Sequence, residues 1–323
     1  MVVNTIQKRS LGGTGIQVTP IGLGVMQFSG GSGVFKMIFP DLSQQQMTAI
    51  VKTALDNGIN WFDTAEMYGQ GKSEHSLATA LKELGVQDGE VIIGTKWFPI
   101  FRTASNIPRS IDDRLHFLDG YKIDVYMVHQ PWGFSSPEAE MNAMADLVEA
   151  GKIRSVGVSN FNSGQMVRAY KTLEKRGLPL AVNQVQYSLL HRKIESNGVL
   201  AAAKDLGVTI VAWSPLARGI LSGKFHNNPE TYQNLQLGRK MLMRGKINKS
   251  AGVVVELNRI GQKYGVTPAQ VALNWVINFQ GETVVAIPGA SKTYQAEESA
   301  GAMGFRLSDE ELARLDQLSR EFL

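Results

Sequence analysis

Asp63, Lys96 and His129 lie 33 residues apart, and Tyr68 follows five residues after the first. Each of the three closes a short apolar run: 60–63, 91–96 and 123–129. About thirty residues is the length of one strand, one helix and a return loop. That interval therefore sets an acid, an amine and an imidazole on one rim of a parallel β structure, with a phenol in the first loop. A phenol with a pKa near 10 is a poor proton donor at neutral pH. A neighbouring ammonium favours the phenolate, so Lys96 is expected to lower the Tyr68 pKa, and Asp63 to keep a buried Lys96 charged. His129 can donate a hydrogen bond to a substrate oxygen or pass a proton to Tyr68. Such a set suits protonation of an oxygen that becomes an alkoxide. Singly, each group has an ordinary structural explanation: an interior ion pair, a packed loop aromatic, a satisfied histidine. Four titratable groups on one rim argue for a site.

Other chemistries find less support. The histidines (75, 116, 129, 191, 226) include no i, i+2 or i, i+4 pair, and cysteine is absent, which disfavours metal ligation and excludes thiolate chemistry. No Gly-x-Ser-x-Gly elbow is present. Further rim candidates are Trp213, whose indole could stack on a heteroaromatic ring, and Ser159, Asn160 and Gln184, which can hydrogen-bond a carboxamide.

These residues need a scaffold that ends its strands together. Apolar, non-alternating runs place strands at 21–24, 60–63, 91–96, 125–129, 155–159, 181–186, 209–213 and 284–288, as in parallel strands covered on both faces. Helices are expected between them at 44–57, 74–84, 138–150 and 164–176, started by Ser43, by Ser73 with Ser76, by Ser136 and by Ser163. Gly58, Gly85, Gly151 and Gly177 end them. Residues 8–20 read as a β-hairpin, and extra helices are expected near 250–264 and 308–319. The fold class is thus α/β: a (β/α)8 TIM barrel with an N-terminal hairpin and extra C-terminal helices, formed by residues 1–323 as one domain. A doubly wound open sheet is the rival, but Gly22-Leu23-Gly24 and Gly30-Gly31-Ser32-Gly33 complete no phosphate-binding fingerprint.

Hydrophobic residues make up 43% and charged residues 19%, which fits a globular chain rather than a disordered one. No apolar run reaches membrane-spanning length and the N-terminus lacks an apolar signal core, so a cytoplasmic protein with no membrane partner is expected. A net charge of +4 does not call for nucleic acid. The basic residues concentrate in one segment, with Arg218, Lys224, Arg239, Lys240, Arg244, Lys246 and Lys249 set against Glu230 alone. Such a loop is either a solvated face or a grip for phosphates.

The stretch Asn-Gly-Ile-Asn-Trp-Phe-Asp-Thr-Ala-Glu-Met-Tyr-Gly at 57–69 resembles the first signature of the aldo-keto reductase superfamily. Gly-Lys-Ile-Arg-Ser-Val-Gly-Val-Ser-Asn-Phe at 151–161 is similar to its central signature, and 214–224 and 287–292 are similar to its cofactor segments. The resemblance implies a barrel that binds NADP(H) in extended form and reduces small aldehydes or ketones. It implies Tyr68 as general acid-base, tuned by Lys96 and Asp63, with His129 orienting the carbonyl. It places Ser159, Asn160 and Gln184 at the carboxamide and Trp213 on the nicotinamide. Ser214, Leu216 and Lys224 fall at the pyrophosphate, and Gly289, Ser291, Lys292, Gln295 and Glu298 around the adenosine and its 2′-phosphate. The paired lysines favour NADPH over NADH. A second reading is a redox-sensing protein like the channel β-subunits of the superfamily, which typically lack the histidine present here as His129. Ser299 stands where the family often has Asn. The 29–42 loop is long and rich in glycine and aromatics, and substrate identity does not transfer. Phe28, Trp97 and Trp132 are candidates for an apolar mouth or, equally, for core.

Overall fold

The computed structural model describes residues 6–30, 41–235, 240–241, 243 and 245–323. Most of the 29–42 loop, Arg239 and Arg244 lie outside the described residues. The hairpin pairs β1 (Arg9–Ser10) antiparallel to β2 (Gln17–Val18). An eight-stranded parallel sheet follows: β3 (Leu23–Gly24), β4 (Trp61–Asp63), β5 (Ile92–Trp97), β6 (Ile123–Val128), β7 (Ile153–Ser159), β8 (Leu180–Gln186), β9 (Thr209–Trp213) and β10 (Val284–Ile287). The sheet runs in sequence order from β3 to β10. Bridges Ile21↔Ala286 and Gly24↔Gly289 bring its two edges together, with Gly22 N donating to Ala286 O at 2.8 Å. The result is a (β/α)8 barrel, as the βα period requires, and not an open sheet.

Sequence chemistry accounts for the helices that space the strands. In α1 (Gln44–Asp56) Ser43 forms a capping box with Gln46. In α4 (Pro137–Glu149) Ser136 caps Ala139 N and proline occupies the first turn. Two expected caps are corrected. Helix α2 (Lys72–Glu83) starts from Gly71 with no side-chain cap, because the Ser73 hydroxyl instead donates to Val25 O at 2.7 Å and takes a bond from Thr64. Helix α5 (Ser163–Glu174) is capped by Asn162, boxed with Gln165, so Ser163 is its first residue. Gly58, Gly85, Gly151 and Gly177 all have positive φ, as left-handed helix ends require. The extra helices form at Ala251–Tyr264 and Asp309–Ser319.

Inside the ring, side chains alternate with period two. The lower layers are apolar: Trp61, Ile92, Val125, Met127, Val182, Val211, Val285 and Ile287 pack together. Leu11, Ile16 and Val18 of the hairpin join the same cluster, and so plug the amino-terminal end. Two glycines make room for the larger partners. A Cβ on Gly157 would meet Met127 Cγ at 2.7 Å and Val182 Cγ2 at 2.6 Å, and one on Gly94 would meet Met127 Cε at 3.3 Å.

Candidate active site

On β4, β5, β6 and β8 the inward positions above that apolar layer are polar. Going up each strand by two residues leads from Trp61 to Asp63, from Ile92 past Gly94 to Lys96, from Val125 past Met127 to His129, and from Val182 to Gln184. The period that buries the floor therefore delivers the chemical groups to the carboxyl rim. Asp63, Lys96, His129 and Gln184 are all buried.

Lys96 is the hub. Its ammonium donates to Asp63 Oδ1 at 2.6 Å and to Thr64 O at 2.6 Å, and it lies 5.2 Å from the centre of the Tyr68 ring. An ammonium has three hydrogens, and these two acceptors take two of them. The other Asp63 oxygen accepts from Gln184 Nε2 at 2.8 Å. Both Asp63 oxygens thus face donors, the arrangement of an ionised carboxylate. Burial pushes the Asp63 pKa up, against Lys96 and Gln184, which pull it down. Burial alone would lower the Lys96 pKa, yet Asp63 and Tyr68 together hold it above its ordinary value.

For Tyr68 the structure differs from the sequence expectation. Lys96 does favour the phenolate, but desolvation of the hydroxyl is the larger effect and the pKa is raised. The spacing of charges is legible in a sequence; the loss of water around the phenol is not. Desolvation, helped by Lys96, drops the His129 pKa to about 3, so the imidazole is neutral. Its Nδ1 is buried without a hydrogen-bond partner, which favours the tautomer with the proton on Nε2. The rings of Tyr68 and Phe98 both stand edge-on to His129, at 5.8 and 5.9 Å between centroids.

Ser159, Asn160, Gln184 and Trp213 form one connected set. Ser159 Oγ donates to Gln184 O at 2.9 Å, Asn160 Nδ2 donates to Ser159 Oγ at 3.0 Å, and Trp213 Nε1 donates to Asn160 Oδ1 at 3.1 Å. Their donors are spent on one another, on Asp63 and on His129 O, so acceptor lone pairs are what they retain for a ligand. Asn160 and Ser214 adopt left-handed φ of 60° and 55°, as Ala217 and Arg218 do nearby. Lys224 lies in the segment after β9, with Nζ 5.0 Å from the Phe225 ring centroid. Ser291 N donates to Gln295 Oε1 at 2.8 Å, and Lys292 is exposed. Leu216 is half-buried beside the first segment and Glu298 lies on the helix Thr293–Gly301.

Sequence reasoning missed Gln27. Its Oε1 is buried without a partner, and a Cβ on Gly289 would strike its amide at 2.3 Å. An orphaned acceptor beside a glycine that permits close approach, next to the segment bearing Lys292, fits a ligand that offers a hydrogen-bond donor, as the adenosine of a dinucleotide does. It also missed Glu66, which accepts from Phe98 N at 3.0 Å and from Arg102 Nη1 at 2.5 Å. The apolar-mouth candidates divide: Phe28 and Trp97 are core, Trp97 donating to Asn106 Oδ1 at 2.9 Å, and Trp132 alone is exposed. Ser299 is buried. Among the described residues no group of acidic, histidine or cysteine side chains could hold a metal, and no helix is long and apolar enough to cross a membrane.

A family model described as the aldo/keto reductase family matches residues 20–320. The chloroplastic pyridoxal reductase of Arabidopsis thaliana is 31% identical over 289 residues, spanning 85% of this chain and 77% of that protein. Among solved structures, the glycerol dehydrogenase AKR11B4 of Gluconobacter oxydans superposes with a TM-score of 0.81 at 26% identity, covering 99% of this chain and 97% of its own. An aldo-keto reductase of Klebsiella pneumoniae, solved in complex with NADPH, has a TM-score of 0.75 at 27% identity over 98% of this chain and 96% of its own. With the family's match running nearly end to end, this chain belongs to the aldo/keto reductase family.

Proposed function

We propose that the protein is an NADP(H)-dependent reductase of aldehydes or ketones in which Tyr68 protonates the carbonyl oxygen. The observation that carries this reading is the buried Lys96 ammonium, bonded to Asp63 and Thr64 O and 5.2 Å from the centre of the Tyr68 ring. When bound, NADPH would be the source of the hydride for the carbonyl carbon. Burial keeps the phenol protonated at neutral pH, so it is charged with the proton before the reaction starts. Lys96 favours the phenolate that is left behind, and so eases the transfer to a developing alkoxide. His129, being neutral, does not compete as the acid; its Nε2–H orients the carbonyl oxygen toward Tyr68.

Ser159, Asn160 and Gln184 accept hydrogen bonds from a carboxamide, and Trp213 offers its indole face to the nicotinamide. Ser214, Leu216 and Lys224 line the pyrophosphate, while Gly289, Ser291, Lys292, Gln295 and Glu298 surround the adenosine. The Lys292 ammonium at the adenosine suits a 2′-phosphorylated ribose, and so NADPH. The Arabidopsis relative's name also supports a small carbonyl as substrate.

Tyr68→Phe is expected to lower steady-state carbonyl reduction by roughly 10²–10⁴-fold, as loss of a general acid does, with NADPH affinity by nicotinamide fluorescence kept within about threefold. Unchanged turnover in this variant would overturn the mechanism. Lys292→Ala should weaken NADPH by about tenfold and NADH hardly at all; equal losses in the two titrations would refute the 2′-phosphate role.

A further inference from the structure

The rim carries an apolar feature that proton transfer does not use. Phe101 is 83% exposed and Phe134 70% exposed, and their rings pair at 6.2 Å between centroids. Phe101 holds a φ of 58°, the left-handed region that a bulky residue adopts only against a conformational cost. A large aromatic kept in water on a strained backbone is explained neither by packing nor by local preference.

The surroundings hold this pair in place from several sides. Phe134 N donates to Arg102 O at 2.9 Å, joining the loop after β6 to the loop after β5. Ala104 N donates to Ser135 Oγ at 2.8 Å, a second tie between the same loops. Arg102 Nη1 reaches Glu66 at 2.5 Å, and Glu66 stands two residues before Tyr68. The second Glu66 oxygen takes the Phe98 amide, and the Phe98 ring lies against His129. One carboxylate thus links the loop of the proton donor, the ring beside the imidazole and the exposed aromatic pair.

We propose that Phe101 and Phe134, clamped to the proton-donor loop through Arg102 and Glu66, form a preorganised apolar wall that selects carbonyl compounds bearing a flat aromatic group over small aliphatic ones. The proposal rests on the reductase reading and narrows its substrate class. A wall already ordered before binding loses little conformational freedom when a ring stacks on it.

The test compares kcat/KM for benzaldehyde with that for propanal, using NADPH and the full chain. Taking the ratio of one variant to the parent cancels the intrinsic reactivity of the two aldehydes. Phe101→Gly removes the ring and suits the left-handed backbone, so its melting temperature should equal or exceed that of the parent while the benzaldehyde-to-propanal ratio falls about tenfold. Phe134→Ala should lower the ratio similarly, and Arg102→Met, which cuts the clamp but keeps both rings, should lower it in part. A ratio unmoved in Phe101→Gly and Phe134→Ala, with both aldehydes still turned over, overturns the wall alone. An unmoved ratio accompanied by loss of self-association in sedimentation does so too, by assigning the rings to contact with a second copy. If neither aldehyde oxidises NADPH in the parent protein, the reductase reading falls and the wall with it.

Discussion

The floor and the rim of this barrel are built from the same inward positions of the same strands, and they are opposite in character. At the floor, Trp61, Ile92, Val125, Val182 and Val211 exclude water by packing. One or two pleats higher, Asp63, Lys96, His129 and Gln184 exclude it too, but they are charged or polar. The floor gains free energy from burial, roughly 25 cal/mol per Å² of apolar surface. The rim must recover a desolvation cost through hydrogen bonds, and a buried ion pair commonly only breaks even. Stability and chemistry are therefore divided along the barrel axis.

The sharpest test of that division is the ion pair. Lys96→Met leaves the Asp63 carboxylate buried and uncompensated, and should destabilise by about 3–5 kcal/mol. Asp63→Leu should cost a similar amount. The double variant should recover most of either loss in urea titrations while remaining inactive. If it is as unstable as the singles, the rim contributes to stability as the floor does, and the contrast fails.

A milder test enters from the floor. Gly157→Ala adds a methyl where Met127 and Val182 already touch, and overpacking of this kind costs about 1–3 kcal/mol. Met127 Sδ lies 3.8 Å from Gln184 Nε2, so the disturbance should also lower kcat through Asp63. A stability loss with unaltered kcat would show that the two layers are mechanically independent.

The smallest effect is an expected absence. His129 titrates near pH 3, so it stays neutral throughout pH 5–8 and gains charge only on acidification through that value. The rate of carbonyl reduction should show no imidazole limb across pH 5–8. An inflection near pH 6.5 that disappears in His129→Gln would mean that the rim is wetter than its burial implies.

The rim could be read in the sequence because strand periodicity is a one-dimensional property. The residue two places beyond an apolar inward position is also inward, and a polar residue there stands out. Asp63, Lys96 and His129 each carry that signal, and the Ser43 and Ser136 caps carry another local one, a hydroxyl just before a helix. What stayed hidden depends on packing between distant segments. Phe28 and Trp97 look like mouth aromatics until outer helices cover them. The raised Tyr68 pKa needs the depth of a hydroxyl, which no spacing encodes. Gln27 and Glu66 belong to no periodic pattern; their partners, Gly289 in one case and Phe98 with Arg102 in the other, come from other loops.

The plugged floor has a consequence for how the interior communicates with solvent. Leu11, Ile16 and Val18 offer no polar relay, and Asp63 and Thr64 O engage two of the Lys96 hydrogens. Isotope arriving from heavy water therefore reaches the lysine from the rim, where Tyr68 is half-buried. Covering the rim with a tight-binding ligand should slow deuterium uptake at the ammonium, turning the barrel into a timer for occupancy of its own mouth.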